Sequence, residues 1–342
     1  MKISILTALG CFIITGLLTG VIKRYAYKLN LIDIPNDRSS HDKPTPRAGG
    51  FAFVLSFLLG LGILYYYHIV SFQLLMAFLG GGVLIAFVGF IDDINHVPAA
   101  IRILIHFIAA IWVIWIFKGM PALALGFFTW HWHLIGMAVG IVGLIWLINL
   151  YNFMDGIDGL ATSEAIFVAI AAIIIFYLQP HRNSLEWIAL LLAASVSGFA
   201  IWNWPPAKIF MGDTGSGFLG YVFGVFLIAN VNDQLENIWI WLLLLGVFWV
   251  DATVTLFRRI YEGEKWYQAH RSHAFQIAAT KYNSHLRVVM GVAFINVIWL
   301  LPMAIGIVYF PKWSILIFIA ALIPLLFLWH FFNVRRNASS LK

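Results

Sequence analysis

The stretch QLLMAFLGGGVLIAFVGFI, from Gln73 to Ile91, contains no Asp, Glu, Lys, Arg or His, and Asp92 and Asp93 follow it directly. An uninterrupted apolar run of about 20 residues has the length of a helix that crosses the hydrocarbon core of a bilayer. Charged residues at the end of such a run lie at the membrane boundary rather than inside the hydrocarbon. This one stretch therefore predicts both a membrane-spanning helix and a carboxylate pair at its end.

The composition extends this prediction to the whole chain. Of the 342 residues, 62% are hydrophobic and 11% are charged, and the mean hydropathy is +0.91, whereas a soluble globular domain has about 25% charged residues. We therefore expect an all-α integral membrane protein, a polytopic bundle of about eleven transmembrane helices that forms a single membrane-embedded domain over residues 1–342. The predicted spans are 3–22, 51–70, 73–91, 101–117, 123–150, 160–178, 187–203, 216–230, 237–257, 288–310 and 313–332.

The single cysteine and the net charge limit the chemistry and the partners. With Cys11 alone, the chain has neither a disulfide framework nor a cysteine-based zinc or iron–sulfur site. The net charge of +6 can indicate nucleic-acid binding, but in a membrane protein it reflects topology and anionic partners. We expect no nucleic-acid partner.

Lysine and arginine are distributed unequally between the two faces of the predicted bundle. When residues at span ends are counted with the nearest loop, all but four of the 21 lysines and arginines fall on the face that carries loops 23–50, 92–100, 151–159, 204–215 and 258–287. The positive-inside rule makes this face cytoplasmic. The same face carries all but three of the 15 acidic residues, which that rule does not explain.

Three loops on this face are rich in carboxylates and have few nearby cations. The carboxylates are Asp92, Asp93, Asp155, Asp158 and Asp213. Clustered acids repel one another unless they are protonated or bridged by a cation. Carboxylate oxygens, together with the amide of Asn149 or Asn152, favour Mg²⁺ or Mn²⁺ over zinc. We therefore predict a site for a divalent cation.

The loop over 258–287 is basic instead. Its cations and imidazoles are Arg258, Arg259, Lys265, His270, Arg271, His273, Lys281 and Arg287. Arginine can bind phosphate through two hydrogen bonds, and imidazole can donate a hydrogen bond or carry charge near neutral pH. Basic groups opposite a carboxylate-held metal are the arrangement that phosphoryl transfer uses. The sequence therefore favours a phosphorylated substrate.

Each of these groups also has a structural interpretation. The acids of the three loops can cap the following helix or occupy a turn, and Arg258 and Arg259 can anchor the topology. At the level of the whole chain, the alternatives are an ion-coupled or proton-coupled transporter and a non-catalytic lipid-carrier-binding protein. A transporter would place its acids near mid-span, whereas most acids here fall in loops on one face. This distribution favours the enzyme.

Taken in order, the motifs resemble those of the polyprenyl-phosphate N-acetylhexosamine-1-phosphate transferases, a family that includes relatives of phospho-MurNAc-pentapeptide translocase. The matching elements are Pro44-Thr45-Pro46-Arg47-Ala48-Gly49-Gly50, Asp92-Asp93, the string from Asn149 to Gly159, Phe210 to Ser216, Asp251 with Arg258-Arg259, and His270-Arg271-Ser272-His273. The resemblance implies transfer of a sugar 1-phosphate from a UDP-sugar to undecaprenyl phosphate, with release of UMP. It also implies a multi-pass protein of the bacterial inner membrane whose Mg²⁺-dependent active site faces the cytoplasm, and it leaves a homodimer open.

The resemblance also assigns roles to residues. Asp213 and Asn152 would hold Mg²⁺, with Mn²⁺ as the alternative ion, and Asp92 and Asp93 would deprotonate or position the lipid phosphate. The residues that would contact the UDP-sugar are Asn149, Asp155, Asp158, Phe210, His270, Arg271 and His273. Both the identity of the general base and the choice between one step and a covalent two-step route stay open.

The chain departs from the family pattern in its basic loop. Many relatives have an acid at the position of His270, and two further histidines where this chain continues with Ala274-Phe275-Gln276. This variant resembles the branch that starts O-antigen-like glycans, often with 2-acetamido-dideoxy sugars.

Overall fold

The structure is a computed structural model that describes residues 1–35, 43–120, 122–179, 184–232, 237–264 and 271–339, without the side chains of 231, 232 and 334–339. Among the predicted site residues, His270 lies outside these ranges, and so does Lys265 of the same loop.

The described chain consists of α-helices joined by turns and two short hairpins. The helices are α1 Lys2–Tyr25, α2 Gly50–Tyr66, α3 Phe72–Ile94, α4 Ala99–Ile116, α5 His133–Met154, α6 Leu160–Leu178, α7 Leu185–Asn203, α8 Gly212–Asn232, α9 Ile238–Leu244, α10 Gly246–Tyr261, α11 Ala274–Tyr282, α12 His285–Ile295, α13 Leu301–Tyr309 and α14 Ser314–Ser339. A π-helical turn, Asn296–Leu300, joins α12 to α13, and a 3₁₀ turn, Pro311–Trp313, precedes α14.

The prediction of an all-α polytopic membrane protein is confirmed. Over the described residues, nine helical segments are long and apolar enough to cross a bilayer, and α9 with α10 makes a tenth if the bent pair is counted as one span. The predicted span 51–70 corresponds to α2, which is shorter, at 17 residues. Helices dominate because a backbone in hydrocarbon must form all its hydrogen bonds within its own segment.

Three predicted spans are not straight helices. The span 123–150 begins with a short hairpin, and its helix, α5, starts only at His133. The span 237–257 is divided into α9 and α10, which are bent by 82° at Leu245. The span 288–310 contains the π-helical turn, and Pro302 lies in the first turn of α13, which follows it. Because proline has no N–H to donate to the preceding turn, a local change of hydrogen-bonding register satisfies the backbone there.

Two antiparallel hairpins close loops at the ends of the bundle. β1, Ile32–Asp33, pairs with β2, Thr45–Pro46, with Ile32 opposite Pro46. β3, Leu123–Ala124, pairs with β4, Thr129–Trp130.

Helix α8 occupies the centre of the bundle. In its apolar window, 83% of the residues are buried by protein, compared with 17% in α14. Its most extensive neighbours are α3 and α5. At Gly220, an added Cβ would lie 2.6 Å from the Leu147 carbonyl oxygen, so the close approach of α8 to α5 requires a residue without a side chain. The ends of α3, α5 and α8 that carry the predicted site residues are thereby brought together.

Candidate active site

Asp93 caps the N-terminus of α8. The backbone N–H groups of Asp213 and Thr214 donate to its two carboxylate oxygens at 2.9 and 3.1 Å, and the Thr214 hydroxyl donates at 2.6 Å. Asp93 itself is 3% exposed. The first N–H groups of a helix lack partners within the helix, and they attract a carboxylate. Asp93 therefore holds the turn that presents Asp213, and its oxygens are occupied in doing so.

Gly212 allows this cap to form. Its φ is +75°, and an added Cβ would lie 2.5 Å from the Asp93 carboxylate oxygen Oδ1. A side chain at this position would be disfavoured both by the left-handed backbone and by lack of space. The start of α8 therefore requires glycine before Asp213. This start lies four residues earlier than that of the predicted span 216–230.

Arg102 of α4 lies between the carboxylates of Asp92 and Asp213. Its Nη1 atom is 2.8 Å from Asp92 Oδ2 and 3.0 Å from Asp213 Oδ2. The Asp92 side chain is 9% exposed, whereas that of Asp213 is 32% exposed. The second oxygen of Asp92 accepts a hydrogen bond from the Val97 N–H at 2.5 Å, so Asp92 also orders the turn before α4, although it is not a solvated cap of that helix, which begins without a side-chain cap.

Asn152, in the last turn of α5, lies beside Asp213. Its amide is within hydrogen-bonding distance of the Asp213 carboxyl, and its Nδ2 atom donates to Ser216 Oγ at 3.0 Å. The two residues predicted to bind the metal therefore lie together, although they are distant in the sequence.

Asn149 lies one turn before Asn152 and faces α4. Its Nδ2 atom is 2.7 Å from the Ile145 carbonyl oxygen and 3.2 Å from His106 Nδ1. His106 is 8% exposed and is one turn after Arg102 on α4. The amide of Asn149 is thus fixed by protein groups and supports the end of α5.

The loop between α5 and α6 carries Asp155 and Asp158, which have different environments. Partial burial and the neighbouring Asp213, Asp93 and Asp158 carboxylates raise the pKa of Asp155 well above its ordinary value. Asp158 accepts a hydrogen bond from the Ala207 N–H at 3.0 Å, and its Oδ2 is 3.3 Å from His285 Nδ1. Neither acid caps α6, which begins after Gly159 without a side-chain cap.

Phe210 lies in the turn before α8 and is held by the motif that begins at Pro44. The Phe210 N–H donates to the Pro46 carbonyl oxygen at 2.8 Å, and the Gly49 N–H donates to the Phe210 carbonyl oxygen at 2.9 Å. The ring of Phe210 is partly buried. Two segments that the sequence analysis identified separately thus form one support for the start of α8.

Asp251, in α10, caps α11 as Asp93 caps α8. Its Oδ1 accepts from the Ala274 N–H at 2.9 Å, and its Oδ2 accepts from the Phe275 N–H at 3.2 Å. His273 is 4% exposed, and its Nδ1 atom lies 3.5 Å from Asp251 Oδ1. Arg271, by contrast, is exposed. Of these two predicted diphosphate-binding residues, the arginine is the accessible one.

The acidic and basic parts are in contact at the α5–α6 loop. A side chain at Gly156 would meet Phe275 and Gln276 of α11 at 3.0 Å, and Asp158 reaches His285 at the start of α12. The carboxylate-bearing helix ends and the start of α11 therefore flank the same loop.

Arg102, His106 and His285 contact predicted site residues, although sequence reasoning gave them no role. Arg102 could have been found, because Arg102 and Lys208 are the cations nearest in sequence to the three acidic loops. A single histidine in an apolar helix carries no comparable signal, so the roles of His106 and His285 depend on tertiary contacts.

Comparison with known proteins agrees with this arrangement. The family model described as glycosyl transferase family 4 matches residues 75–231, which include α3 to α8 and the carboxylate-bearing helix ends.

Several curated proteins are similar over most of the chain. A probable undecaprenyl-phosphate N-acetylglucosaminyl 1-phosphate transferase of Bacillus subtilis is 29% identical over 75% of this chain and 72% of its own length. The undecaprenyl-phosphate alpha-N-acetylglucosaminyl 1-phosphate transferase of Salmonella typhi is 25% identical over 79% of this chain and 76% of its own length. A phospho-N-acetylmuramoyl-pentapeptide-transferase of Streptococcus equi is 28% identical over 76% of this chain and 81% of its own length.

The motifs, the matched segment and these relatives agree: the chain is similar over about three quarters of its length to polyprenyl-phosphate sugar-phosphate transferases, and residues 75–231 match glycosyl transferase family 4.

Proposed function

We propose that this protein transfers an N-acetylhexosamine 1-phosphate from a UDP-sugar to undecaprenyl phosphate and releases UMP. The observation that carries the proposal is the convergence of Asp92, Asn152 and Asp213 from three helices, with Arg102 between the two carboxylates and Asn152 beside Asp213. The relatives that transfer sugar phosphates to polyprenyl phosphates support it. The reaction would be the initiating step of O-antigen or a related cell-surface glycan.

A divalent cation, Mg²⁺ or Mn²⁺, fits the donor set at Asp213 and Asn152. Within the described ranges, no three Asp, Glu, His or Cys side chains are grouped closely enough to hold a metal alone. Mg²⁺ is usually held by one or two carboxylates together with substrate phosphates. The partly exposed Asp213 carboxylate and the Asn152 amide oxygen supply that incomplete set, and the sugar-nucleotide diphosphate would complete it. When bound, the cation supplies charge neutralisation to the diphosphate.

Two of the five predicted carboxylates are already bound by protein groups and are not available to a metal or a substrate. Asp93 is occupied by the N-terminus of α8, and Asp158 holds Ala207 and His285. We therefore assign Asp93 as a positioning residue for Asp213. Arg102 and Asp213 keep partly exposed side chains and would face the phosphates, with Asp155 near Asp213, and Asp92 would act through Arg102, which it holds.

The lipid phosphate is itself an anionic nucleophile. One of its oxygens would attack the sugar-bearing phosphorus, a new P–O bond would form to the lipid phosphate, and the bond to the UMP phosphate would break, with UMP leaving with the electron pair. The main obstacle is the approach of two anions, which Arg102 on one side and Arg271 on the other would reduce. No covalent enzyme intermediate is needed for this balance.

We place the site on the cytoplasmic face. The face of the bundle that holds the ends of α3 and α5 and the start of α8 also carries most of the lysines and arginines, and the positive-inside rule assigns such a face to the cytoplasm. A UDP-sugar is available there as a soluble substrate.

The test is UMP release by purified protein with undecaprenyl phosphate, Mg²⁺ and a panel of UDP-N-acetylhexosamines. We expect release with at least one sugar, loss of release when Mg²⁺ is chelated, and loss with Asp213→Asn. Glu186→Gln is the matched control, because it removes one acidic charge in α7 on the opposite face. Absence of UMP with every sugar, from protein that melts cooperatively, would contradict the proposal.

A further inference from the structure

A glutamate lies inside the bundle on a membrane-spanning helix. Glu164, in the second turn of α6, is 0% exposed. Its Oε2 atom accepts a hydrogen bond from Nδ2 of Asn296 at 2.5 Å, and Asn296 is 1% exposed. Asn296 is the first residue of the π-helical turn, and its backbone carbonyl oxygen accepts the N–H of Leu301. The acid–amide pair, Glu164 with Asn296, therefore joins α6 to the irregular turn between α12 and α13.

Each member of the acid–amide pair has an oxygen without a hydrogen bond. Among the described residues, neither Oε1 of Glu164 nor Oδ1 of Asn296 has a partner, and both atoms are buried. An amide oxygen and an ionised carboxylate oxygen can only accept hydrogen bonds. If Glu164 were ionised, the pair would therefore hold two buried acceptors that the protein does not satisfy. A buried polar group without a partner is costly, and most costly when it is charged.

Charged side chains do not compensate a negative charge on Glu164. Within the ranges that the structure describes, its carboxyl group bonds to the Asn296 amide, and no lysine, arginine or histidine forms an ion pair with it. The helices packed against α6 are α5, α7, α12 and α13. Their titratable or charged side chains are His133, Tyr151, Glu186, His285, Arg287 and Tyr309.

Among these groups, Tyr151 of α5 interacts electrostatically with Glu164. Its hydroxyl donates to the Ala161 carbonyl oxygen at 2.8 Å rather than to the carboxyl group, and a tyrosine is neutral near neutral pH. The other five lie in the first or last turn of their helices. Because an isolated charge is costly at membrane depth, a carboxyl group in this position takes up a proton instead.

We propose that Glu164 carries a proton in the folded protein, and that the acid–amide pair is a pH-sensitive link between α6 and the π-helical turn. The proton makes one carboxyl oxygen a donor to Oδ1 of Asn296, while the other oxygen accepts from Nδ2. One proton then satisfies both unpartnered oxygens. Ionisation removes the donor and leaves a buried charge, so the link weakens as the pH rises.

The link joins the same two helices as a contact of the candidate active site. Asp158 precedes α6, and His285, the first residue of α12, lies 3.3 Å from its carboxylate. Asn296 lies about three turns after His285. The acid–amide pair and this contact thus hold α12 against α6 at two levels. The inference goes beyond the proposed function, and its tests need no enzyme activity.

The first experiment detects the proton. The infrared spectrum of the purified full-length protein in neutral detergent buffer is expected to contain a carbonyl stretching band of a protonated carboxyl group that disappears in Glu164→Gln. The glutamine has both an acceptor and a donor, so it can form both hydrogen bonds with Asn296 and should fold. Glu186→Gln is the matched control, because Glu186 is a partly exposed glutamate in the first turn of α7, and it should leave the band unchanged.

The second experiment follows stability against pH. Above the range in which a free glutamate titrates, the folded protein with a protonated Glu164 binds one more proton than the unfolded chain, so a rise in pH favours unfolding. From mildly acidic to neutral buffer, the unfolding equilibrium constant of the wild type should therefore rise up to about tenfold more per pH unit than that of Glu164→Gln. Reversible unfolding in detergent measures both proteins, and Glu186→Gln should follow the wild type.

The third experiment tests the contact itself. Glu164→Leu alone leaves the amide of Asn296 buried without a partner and should lower the melting temperature. The double variant Glu164→Leu with Asn296→Leu removes both polar groups and should recover most of that loss, because replacing both partners by apolar groups is nearly neutral.

Three results would overturn the proposal. The first is the same carboxyl band in the wild type and in Glu164→Gln, and the second is an equal dependence of their unfolding on pH. The third is a double variant that is no more stable than Glu164→Leu.

Discussion

Helices α8 and α11 begin with the same chemical device but differ in what holds the rest of the helix. A buried membrane-helix carboxylate accepts the first N–H groups of each one: Asp93 for α8 and Asp251 for α11. These acids are 3% and 5% exposed. Each cap lies beside a residue of the candidate site, Asp213 in α8 and His273 before α11. A carboxylate at a membrane boundary can therefore serve the site by fixing a helix rather than by touching a substrate.

The two helices differ in length and burial. α8 has 21 residues and packs against α3 and α5 along its length, whereas α11 has nine residues and lies beside α12 and α14. Isolated helices shorter than about 12 residues are marginal in water. We therefore expect loss of the α8 cap to disturb one crowded turn, and loss of the α11 cap to release a whole short helix.

Asp93→Ala should have the largest effect on stability. It would leave the Asp213 and Thr214 N–H groups and the Thr214 hydroxyl buried without a partner, at about 1–3 kcal/mol each and about 3–5 kcal/mol together. UMP release should fall about 100-fold or more, because Asp213 loses its fixed position. Thermal unfolding in detergent and the UMP assay measure the two effects. A melting temperature equal to that of Glu186→Gln would show that Asp93 does not hold α8.

Asp251→Ala should destabilise less, by about 1–2 kcal/mol, as expected for loss of a helix cap. Since the residues before α11 include the predicted diphosphate-binding loop, the activity loss should appear mainly as a raised KM for the UDP-sugar, with a smaller change in kcat. Asp251→Asn keeps one acceptor oxygen and should be intermediate. An unchanged KM would show that α11 does not position the residues that bind the UDP-sugar.

Asp155 offers a pH test of the acidic region. Its pKa is raised from 3.8 by burial and by neighbouring carboxylates, so its ionised form destabilises the folded state. This destabilisation is absent below the ordinary pKa, grows as the pH rises from there to the raised folded-state pKa, and is complete above it. Mg²⁺ should therefore raise the melting temperature more in mildly alkaline than in mildly acidic buffer, and Asp155→Asn should reduce that difference. A pH-independent effect of Mg²⁺ would be the opposite result.

His285→Gln should have the smallest effect. It alters a partly exposed contact between Asp158 and the start of α12, with side chains 15% and 21% exposed, and such pairs contribute about 1 kcal/mol or less. A small fall in melting temperature with nearly normal UMP release is expected. A loss of activity comparable to that of Asp251→Ala would show that the link between the acidic and basic regions depends on this histidine.

Much of the fold was predictable, because span length and apolar composition are properties of short segments. The spans that became α1, α3, α4, α6, α7 and α14 follow directly from apolar runs. The bend between α9 and α10 was missed because Leu245 and its neighbours are apolar on both sides of it. The start of α8 was placed too late because Gly212 and Asp213 have the composition of a turn.

The sequence predicted which residues form the candidate site better than it predicted what each of them does. Sequence motifs identified Asn152 and Asp213, which the structure brings together. They treated Asp92 and Asp93 as a pair, whereas Asp93 caps α8 and Asp92 faces Arg102. Consecutive helical residues point about 100° apart, so neighbours in sequence face different parts of the protein.

The sequence by itself determined that this chain crosses a membrane as helices, with most of its charged residues at one boundary, because unsatisfied backbone groups and isolated charges are costly in hydrocarbon wherever they occur along the chain. Only the tertiary structure decided that Asp93 and Asp251 bind the first N–H groups of helices, whereas Asp213 stays partly exposed beside Arg102. That division depends on which helix end meets which side chain, and local composition carries no information about such contacts between distant segments.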